Sequence, residues 1–410
     1  MMNKISYSMT NLPQDWEWKS LGEILSNDKY SIKRGPFGSA LKKSFFVENG
    51  IRVFEQYNAI NNDPHWKRYF ISYDKFKELE AFKAIEGDLL ISCSGTLGKI
   101  VELPKHTEIG IINQALLKIR LDNTKILNSY FIYNFNSPIM QGKILESTLG
   151  SAIKNIASVK ILKQIKIPLP PLKEQERIVG ILDESFAKID ESIKILEQNL
   201  LNLDELMQSA LQKAFNPLKD NAKENYKLPQ GWEWKSLEEI SENISAGGDK
   251  PKNCTESKTA KNQIPVYANG VNNNGLVGYT DKATIIKPSL TISARGTIGF
   301  VCIRKEPYFP IVRLISLIPC ENILCLHYLY FCLNFFIAKG EGSSIPQLTI
   351  PKFKSLQIPL PPLKEQEQIA KHLDFVFEKT KALKELYTKE LKDYEELKQS
   401  LLNKAFKGEL

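Results

Sequence analysis

The chain has 410 residues, 42% hydrophobic and 25% charged, which excludes a single small core and points to two to four ordinary globular domains. Its 55 basic and 47 acidic residues leave a formal charge of +8, a mild lean towards an acidic partner. No stretch approaches the roughly eighteen apolar residues of a membrane span, Met1 to Thr10 lack an apolar leader, and the six cysteines contain no Cys-x-x-Cys pair, so a reduced, cytoplasmic protein is expected, neither exported nor embedded.

In chain order, the first ordered signal is Leu12-Pro13-Gln14-Asp15-Trp16-Glu17-Trp18-Lys19-Ser20-Leu21, an alternating edge-strand pattern that returns almost unchanged at 228–237. Residues 22–165 then mix β-branched runs (51–54, 87–92, 110–119) with turn residues and one helical spacing over 125–146. This reads as a mostly β domain with short helices. Residues 238–357 repeat the order with different contents. Gly87 to Lys99 has its counterpart in Lys287 to Phe300, and Gly150-Ser151-Ala152-Ile153 in Gly342-Ser343-Ser344-Ile345.

Each domain ends in one phrase. Ile167-Pro168-Leu169-Pro170-Pro171-Leu172-Lys173-Glu174-Gln175-Glu176 recurs 191 residues later as 358–367, and each copy opens a helical pattern finishing in Lys-Ala-Phe, at 213–215 and 404–406. The prolines place each helix start just beyond them, and the glutamates suit a helix N-terminus. Leu182, Phe186, Ile189, Ile193, Leu196, Leu200 and Leu203 alternate steps of three and four, a coiled-coil seam. The second stripe, through Leu373, Phe377, Leu383, Tyr387, Tyr394, Leu397 and Leu401, is interrupted by Thr380 and Glu390. About 38 residues of helix would span roughly 57 Å and need a partner, for which the duplicate serves. The fold expected is α+β: two mostly β domains at 1–166 and 228–357, two long helices at 167–216 and 358–410 packed as an antiparallel coiled coil, and a linker at 217–227.

A catalytic site is hard to find. Gly95-Thr96-Leu97-Gly98-Lys99 ends like a phosphate-binding loop, but Ile100 stands where Ser or Thr is required and Cys93 where the first Gly belongs. The four histidines show no ligand spacing, so no metal is expected, and both Pro-Pro pairs lie between leucines and outside any methyltransferase motif. The Pro-Leu-Pro-Pro-Leu stretches could be polyproline ligands, but their place before a long helix favours a domain-to-helix joint. Lys33, Arg34, Ser39, Lys42 and Lys43 surround the Gly35-Pro36-Phe37-Gly38 turn, where phosphate can approach the backbone. Lys250, Lys252, Asn272 and Asn273 enrich loops of the second domain, and Arg295, with Lys99 as its near-equivalent, lies on the turn after a predicted strand. Each of these residues is equally at home on a solvated turn.

Taken together, the two Pro-Leu-Pro-Pro-Leu-x-Glu-Gln-Glu helix starts, the Gly-Thr-x-Gly turns at 95–98 and 296–299, Gly35-Pro36-Phe37-Gly38-Ser39 and Pro265-Val266-Tyr267 resemble the specificity subunits of type I restriction-modification systems. The resemblance covers essentially the whole chain. It implies two target-recognition domains that read the unlike halves of a bipartite, asymmetric double-stranded DNA sequence, with the two helices as spacer. It also implies docking of two adenine-N6 methyltransferase (M) subunits and of ATP-dependent restriction and translocase (R) subunits. The chain itself would be non-catalytic and carry no cofactor, S-adenosylmethionine, ATP and Mg being used by the partners. The competing readings are a coiled-coil scaffold with two protein-interaction domains, a methylation-only orphan specificity subunit, and a self-sufficient methyltransferase or nuclease, which would need the missing motifs.

Overall fold

The repeated phrases of the sequence meet as paired strands. Glu17–Ser20 runs antiparallel to Lys166–Leu169, with Trp18 opposite Pro168, and Glu233–Ser236 runs antiparallel to Gln357–Leu360, with Trp234 opposite Pro359. A computed structural model of the chain describes residues 12–146, 156–215, 228–337, 340–341 and 347–410. The linker expected at 217–227 and the matched pair Gly150–Ile153 and Gly342–Ile345 lie outside the described residues. The architecture is α+β, with two β-rich domains and two long helices. The chain divides into two units, Met1–Ile195 with Lys389–Leu410, and Leu196–Thr388.

In the first unit, a four-stranded antiparallel sheet has the order Ile32–Arg34, Leu116–Ile119, Leu89–Ser92, Ile100–Glu102. A second sheet is built around the parallel pair Ile51–Phe54 and Gly110–Ile112. The second unit repeats both: Ser241–Ala246, Ile315–Pro319, Ser289–Ile292, Val301–Arg304 form the antiparallel sheet, and Ile264–Tyr267 lies parallel to Phe309–Pro310. The strands Leu89–Ser92 and Ser289–Ile292 are buried along their whole length, the polar Ser289 and Thr291 as fully as the apolar Leu290 and Ile292 between them.

The phrase at the helix starts owes its sameness to a buried side chain. Gln175 is fully buried: its Oε1 accepts from the Leu127 N–H at 2.9 Å, and its Nε2 donates to the Lys125 and Pro170 carbonyls, both at 2.9 Å. Gln366 repeats this with Cys325 N–H (2.9 Å), Ile323 (2.9 Å) and Pro361 (2.8 Å). Tyr130 and Tyr328 donate to the Pro168 and Pro359 carbonyls at 2.8 and 2.7 Å. The terminal Lys-Ala-Phe has a role as well. Phe406 packs edge-on against Tyr130, and Phe215 does the same against Tyr328.

The helices run Leu172–Phe215 and Leu363–Ala405, 44 and 43 residues, from just beyond the prolines to the Lys-Ala-Phe ends. In the first unit Ile178 and Leu182 share a core with Leu402, Ala405 and Phe406, and Asp190 pairs with Lys398, so the segments run antiparallel. In the second unit Leu211 and Phe215 share a core with Ala370 and Leu373, and Asp204 pairs with Lys384, again antiparallel. The expected second stripe needs correction. Leu383 and Leu397 are exposed, at 39% and 44%, whereas Thr380 is 2% exposed and Lys384 and Lys398 lie on its heptad positions. These three stand 191 residues after Ile189, Ile193 and Met207. Thr380 satisfies its hydroxyl on the Val376 carbonyl at 2.7 Å, and the lysines lay their stems along the seam while their ammonium groups reach aspartates.

One charged group is buried in the first sheet. Burial pushes the Lys118 ammonium, 2% exposed and donating to the Lys83 carbonyl at 2.6 Å, from 10.5 down to about 8, against the pull of Asp88. The unfolded chain keeps this proton to higher pH than the folded chain does, so stability should rise with pH between about 8 and the ordinary lysine range. Lys118→Met should flatten that rise, measured by urea unfolding at one pH below the window and one inside it. A wild-type curve that already lacks the rise contradicts the assignment. Gln175→Ala leaves three buried backbone groups without partners and should cost about 3 kcal/mol, with Gln366→Ala similar. Melting curves within experimental error of wild type would show that the glutamines are not structural staples.

Candidate nucleic-acid interface

Loops at one end of the sheets are tied together in each unit by short backbone bonds. In the first unit the Gly35 N–H donates to the Leu116 carbonyl (2.9 Å), the Asn113 N–H to Phe54 (2.9 Å), and the Cys93 N–H to Ala115 (2.8 Å). The Ser94 hydroxyl donates to Gln56 Oε1 at 3.2 Å. Segments 34–37, 55–58, 93–98 and 113–115 thus form one cluster. A Cβ on Gly35 would stand 1.8 Å from the Asn113 carbonyl oxygen, so glycine is what lets the basic loop lie flush on its neighbour.

The second unit has the same frame with different side chains. The Gly247 N–H donates to Leu314 (2.8 Å) and the Ile311 N–H to Tyr267 (2.8 Å), and a Cβ on Gly247 would stand 2.6 Å from the Ile311 nitrogen. Asn269 occupies the place of Gln56. Its Oδ1 accepts from the Ala294 N–H at 2.8 Å and its Nδ2 donates to the Val312 carbonyl at 2.7 Å. Both frames also rest on a buried arginine stacked on an aromatic ring at the same strand position. Arg52 covers Phe54 at 4.0 Å and donates to the Pro64 and Trp66 carbonyls, while Arg304 covers Tyr267 at 3.6 Å and donates to Asn274 at 2.5 Å. Each arginine holds the loop that follows the ring.

The expected contact residues fall into distinct places. Arg34 reaches over the ring of Phe37, which is 67% exposed, at 5.3 Å, and Ser39, Lys42 and Lys43 are exposed on the short turns that follow. Lys33 is half-buried with its ammonium over the rings of Phe82 and Tyr30, turned away from the cluster. Lys99 and Arg295 are exposed at the Gly-Thr turns, whose glycines Gly95, Gly98, Gly296 and Gly299 all adopt positive φ. Lys250 and Lys252 are exposed after Gly248, which bridges to Ile311. Asn272 and Asn273 are exposed on a 3-10 turn in which Asn273 and Asn274 are left-handed.

Sequence reasoning missed Gln56, the exposed Gln114 and Tyr57, and the locking role of Asn269, which it read only as part of an asparagine-rich loop suited to nucleic-acid contact. A signal was present: Val53-Phe54-Glu55-Gln56 and Val266-Tyr267-Ala268-Asn269 each place an amide two residues after the aromatic that closes a strand. Chemically the clusters offer guanidinium, ammonium, amide and aromatic groups, which suit phosphates and base edges. Among the described residues no cluster of three or more His, Cys, Asp or Glu could hold a metal ion, and no helix is long and apolar enough to cross a membrane.

Comparison with known proteins follows the same duplicated outline. The family model for the type I restriction modification DNA specificity domain matches residues 13–201 and 229–393. S.MpnORF507P of Mycoplasma pneumoniae, assigned as a type I specificity subunit, is 33% identical over 217 residues, 52% of this chain and 56% of that protein, so the match spans little more than half of that relative. The MjaVIII type I restriction enzyme specificity subunit of Methanocaldococcus jannaschii is 24% identical over 97% of this chain and 94% of its own. Among solved structures, a chain from a study of complex assembly and conformational transition in the type I R-M system has a TM-score of 0.79 at 20% identity, covering 97% of this chain and 99% of that one, a likeness of fold.

The flush contact at Gly35 is open to direct test. Gly35→Ala should force the 34–43 loop off Asn113 and lower affinity for duplex DNA about tenfold or more, whereas Gly95→Ala meets no neighbour within 4 Å and is strained only by its φ of 66°. Equal binding by wild type and Gly35→Ala in a fluorescence titration would remove this loop from the interface.

Proposed function

The chain belongs to the type I restriction modification DNA specificity family, and on that premise we propose that it is the non-catalytic subunit that chooses the DNA target of a methylating and cleaving complex. It reads a bipartite, asymmetric double-stranded sequence, one half through the domain at 1–166 and the other through the domain at 228–357. Two adenine-N6 methyltransferase subunits and the ATP-dependent restriction subunits act on the site so chosen, with S-adenosylmethionine, ATP and Mg on those partners.

The observation that carries this reading is one backbone frame presented twice with unlike exposed side chains. The first domain offers Arg34 and Phe37, where the second has Ala246 and Asp249. The second offers Arg295 where the first has Ser94. Two like frames suit two duplex half-sites, and unlike side chains suit different bases. The repeated helices, continuous from one domain to the next, suit a spacer.

Sequencing of modified adenines from cells carrying the chain with its methyltransferase subunits should return one split sequence. A heptad inserted at the repeat-equivalent positions Asn199 and Glu390 lengthens each helix by about 10 Å without rotating its seam. The half-sites should stay the same and the gap between them should grow. An unchanged gap would contradict the spacer role, and an unsplit target would contradict the two-domain reading.

A further inference from the structure

Val312 and Arg313 are consecutive non-glycine residues in the left-handed region, with φ of 53° and 59°. For a β-branched valine this conformation is an outlier that persists only where surrounding bonds over-determine it. They do so here. The Val312 and Arg313 N–H groups donate to the Gly248 and Gly247 carbonyls, both at 2.8 Å, the Val312 carbonyl accepts from Asn269 Nδ2 at 2.7 Å, and the Leu314 N–H closes the turn on Ile311 at 3.1 Å.

The frame itself does not require this strain. The matching turn of the first unit, Asn113-Gln114-Ala115, has no positive φ and closes through an ordinary asparagine turn, the Ala115 N–H donating to Asn113 Oδ1 at 3.0 Å. The strained turn is therefore a property of the second domain. What it gains is the presentation of one side chain. Arg313 is exposed and has no ion pair, hydrogen bond or ring contact from its side chain among the described residues, beside Val312 at 51% exposure. Residues 228–357 contain three arginines. Arg304 is buried holding Asn274, which leaves Arg295 and Arg313 exposed, and Asn269 ties their two turns together through Ala294 and Val312.

We propose that Arg313 is a base-reading residue of the second domain, its guanidinium forming the two parallel hydrogen bonds that recognise the O6 and N7 edge of a guanine. The inference rests on the reading of the chain as a DNA specificity subunit and adds a residue and a base to it. A rigid turn suits this role because a bidentate contact needs the fork held in one orientation, whereas a phosphate contact tolerates a mobile lysine.

The test uses the full chain in complex with its methyltransferase subunits, mapping modified adenines for wild type, Arg313→Ala and Arg313→Lys and titrating each against the wild-type target. Arg313→Ala should relax one guanine position in a single half-site and weaken binding to the original target about ten- to a hundredfold. Arg313→Lys should not restore the guanine preference, and the melting temperatures should match wild type, since the side chain has no partner to lose. An unchanged methylation map overturns the proposal. So does binding that weakens equally on all sequences and is rescued by lysine, the signature of a phosphate contact. If the wild-type complex methylates no split target, the functional reading fails and this inference with it.

Discussion

The fully buried carboxamides of Gln175 and Gln366 are the constraint on which each unit depends. A chain that leaves a strand through two prolines has no N–H groups to offer there, and the carbonyls of the preceding turn and of the 125–127 or 323–325 segment need a donor. One glutamine supplies that donor and also an acceptor for the returning N–H. Glutamate lacks the donor and would bury a charge, and a shorter amide would not span the three groups. With the strand end, the domain loop and the first helical turn bound to one side chain, the helix leaves its domain in a set direction. The tyrosine hydroxyls on the Pro168 and Pro359 carbonyls and the phenylalanines beneath those rings complete the same joint.

The seam of the long helices shows how a polar residue can hold an apolar position. In the first helix the heptad positions from Leu182 to Met207 are filled by leucine, isoleucine, phenylalanine and methionine. In the second, Thr380, Lys384 and Lys398 fill three of them, because a threonine can return its hydroxyl to the preceding turn and a lysine can bury its methylenes. Periodicity drawn through apolar residue types alone therefore slips by one residue and selects Leu383 and Leu397, which are exposed. Reading the second helix through the 191-residue offset from the first places the stripe correctly.

Much of the fold was legible because duplication supplies its own alignment. The repeated edge strands, the helix starts and the Gly-Thr turns each appear twice and are placed as their patterns indicate. The candidate site was legible only in part. Basic and glycine-rich loops can be recognised one at a time, but what joins them is a set of hydrogen bonds between residues far apart in sequence, such as Asn269 with Val312 or Gln56 with Ser94. No local pattern encodes those partners. Lys33 shows the same limit from the other side: its charge was visible and Tyr30 is a near neighbour in sequence, but the ring of Phe82 that also draws it away from the loops comes from a distant segment.

The frame also explains how two domains of one architecture can carry such different surfaces. Its clamps are backbone groups, glycines, the Gln56 and Asn269 amides and buried arginines, so the exposed side chains of Phe37, Ser39, Lys42, Lys43, Gln114, Arg295 and Arg313 take little part in holding the loops. Substitution at those positions therefore costs little stability. The buried arginines make the point most directly. Arg52 and Arg304 come from different strands, yet both end above the ring that closes the equivalent strand and both hold the loop behind it. Constancy lies in the stacked pair and the carbonyls it binds, and variation is confined to groups that face solvent.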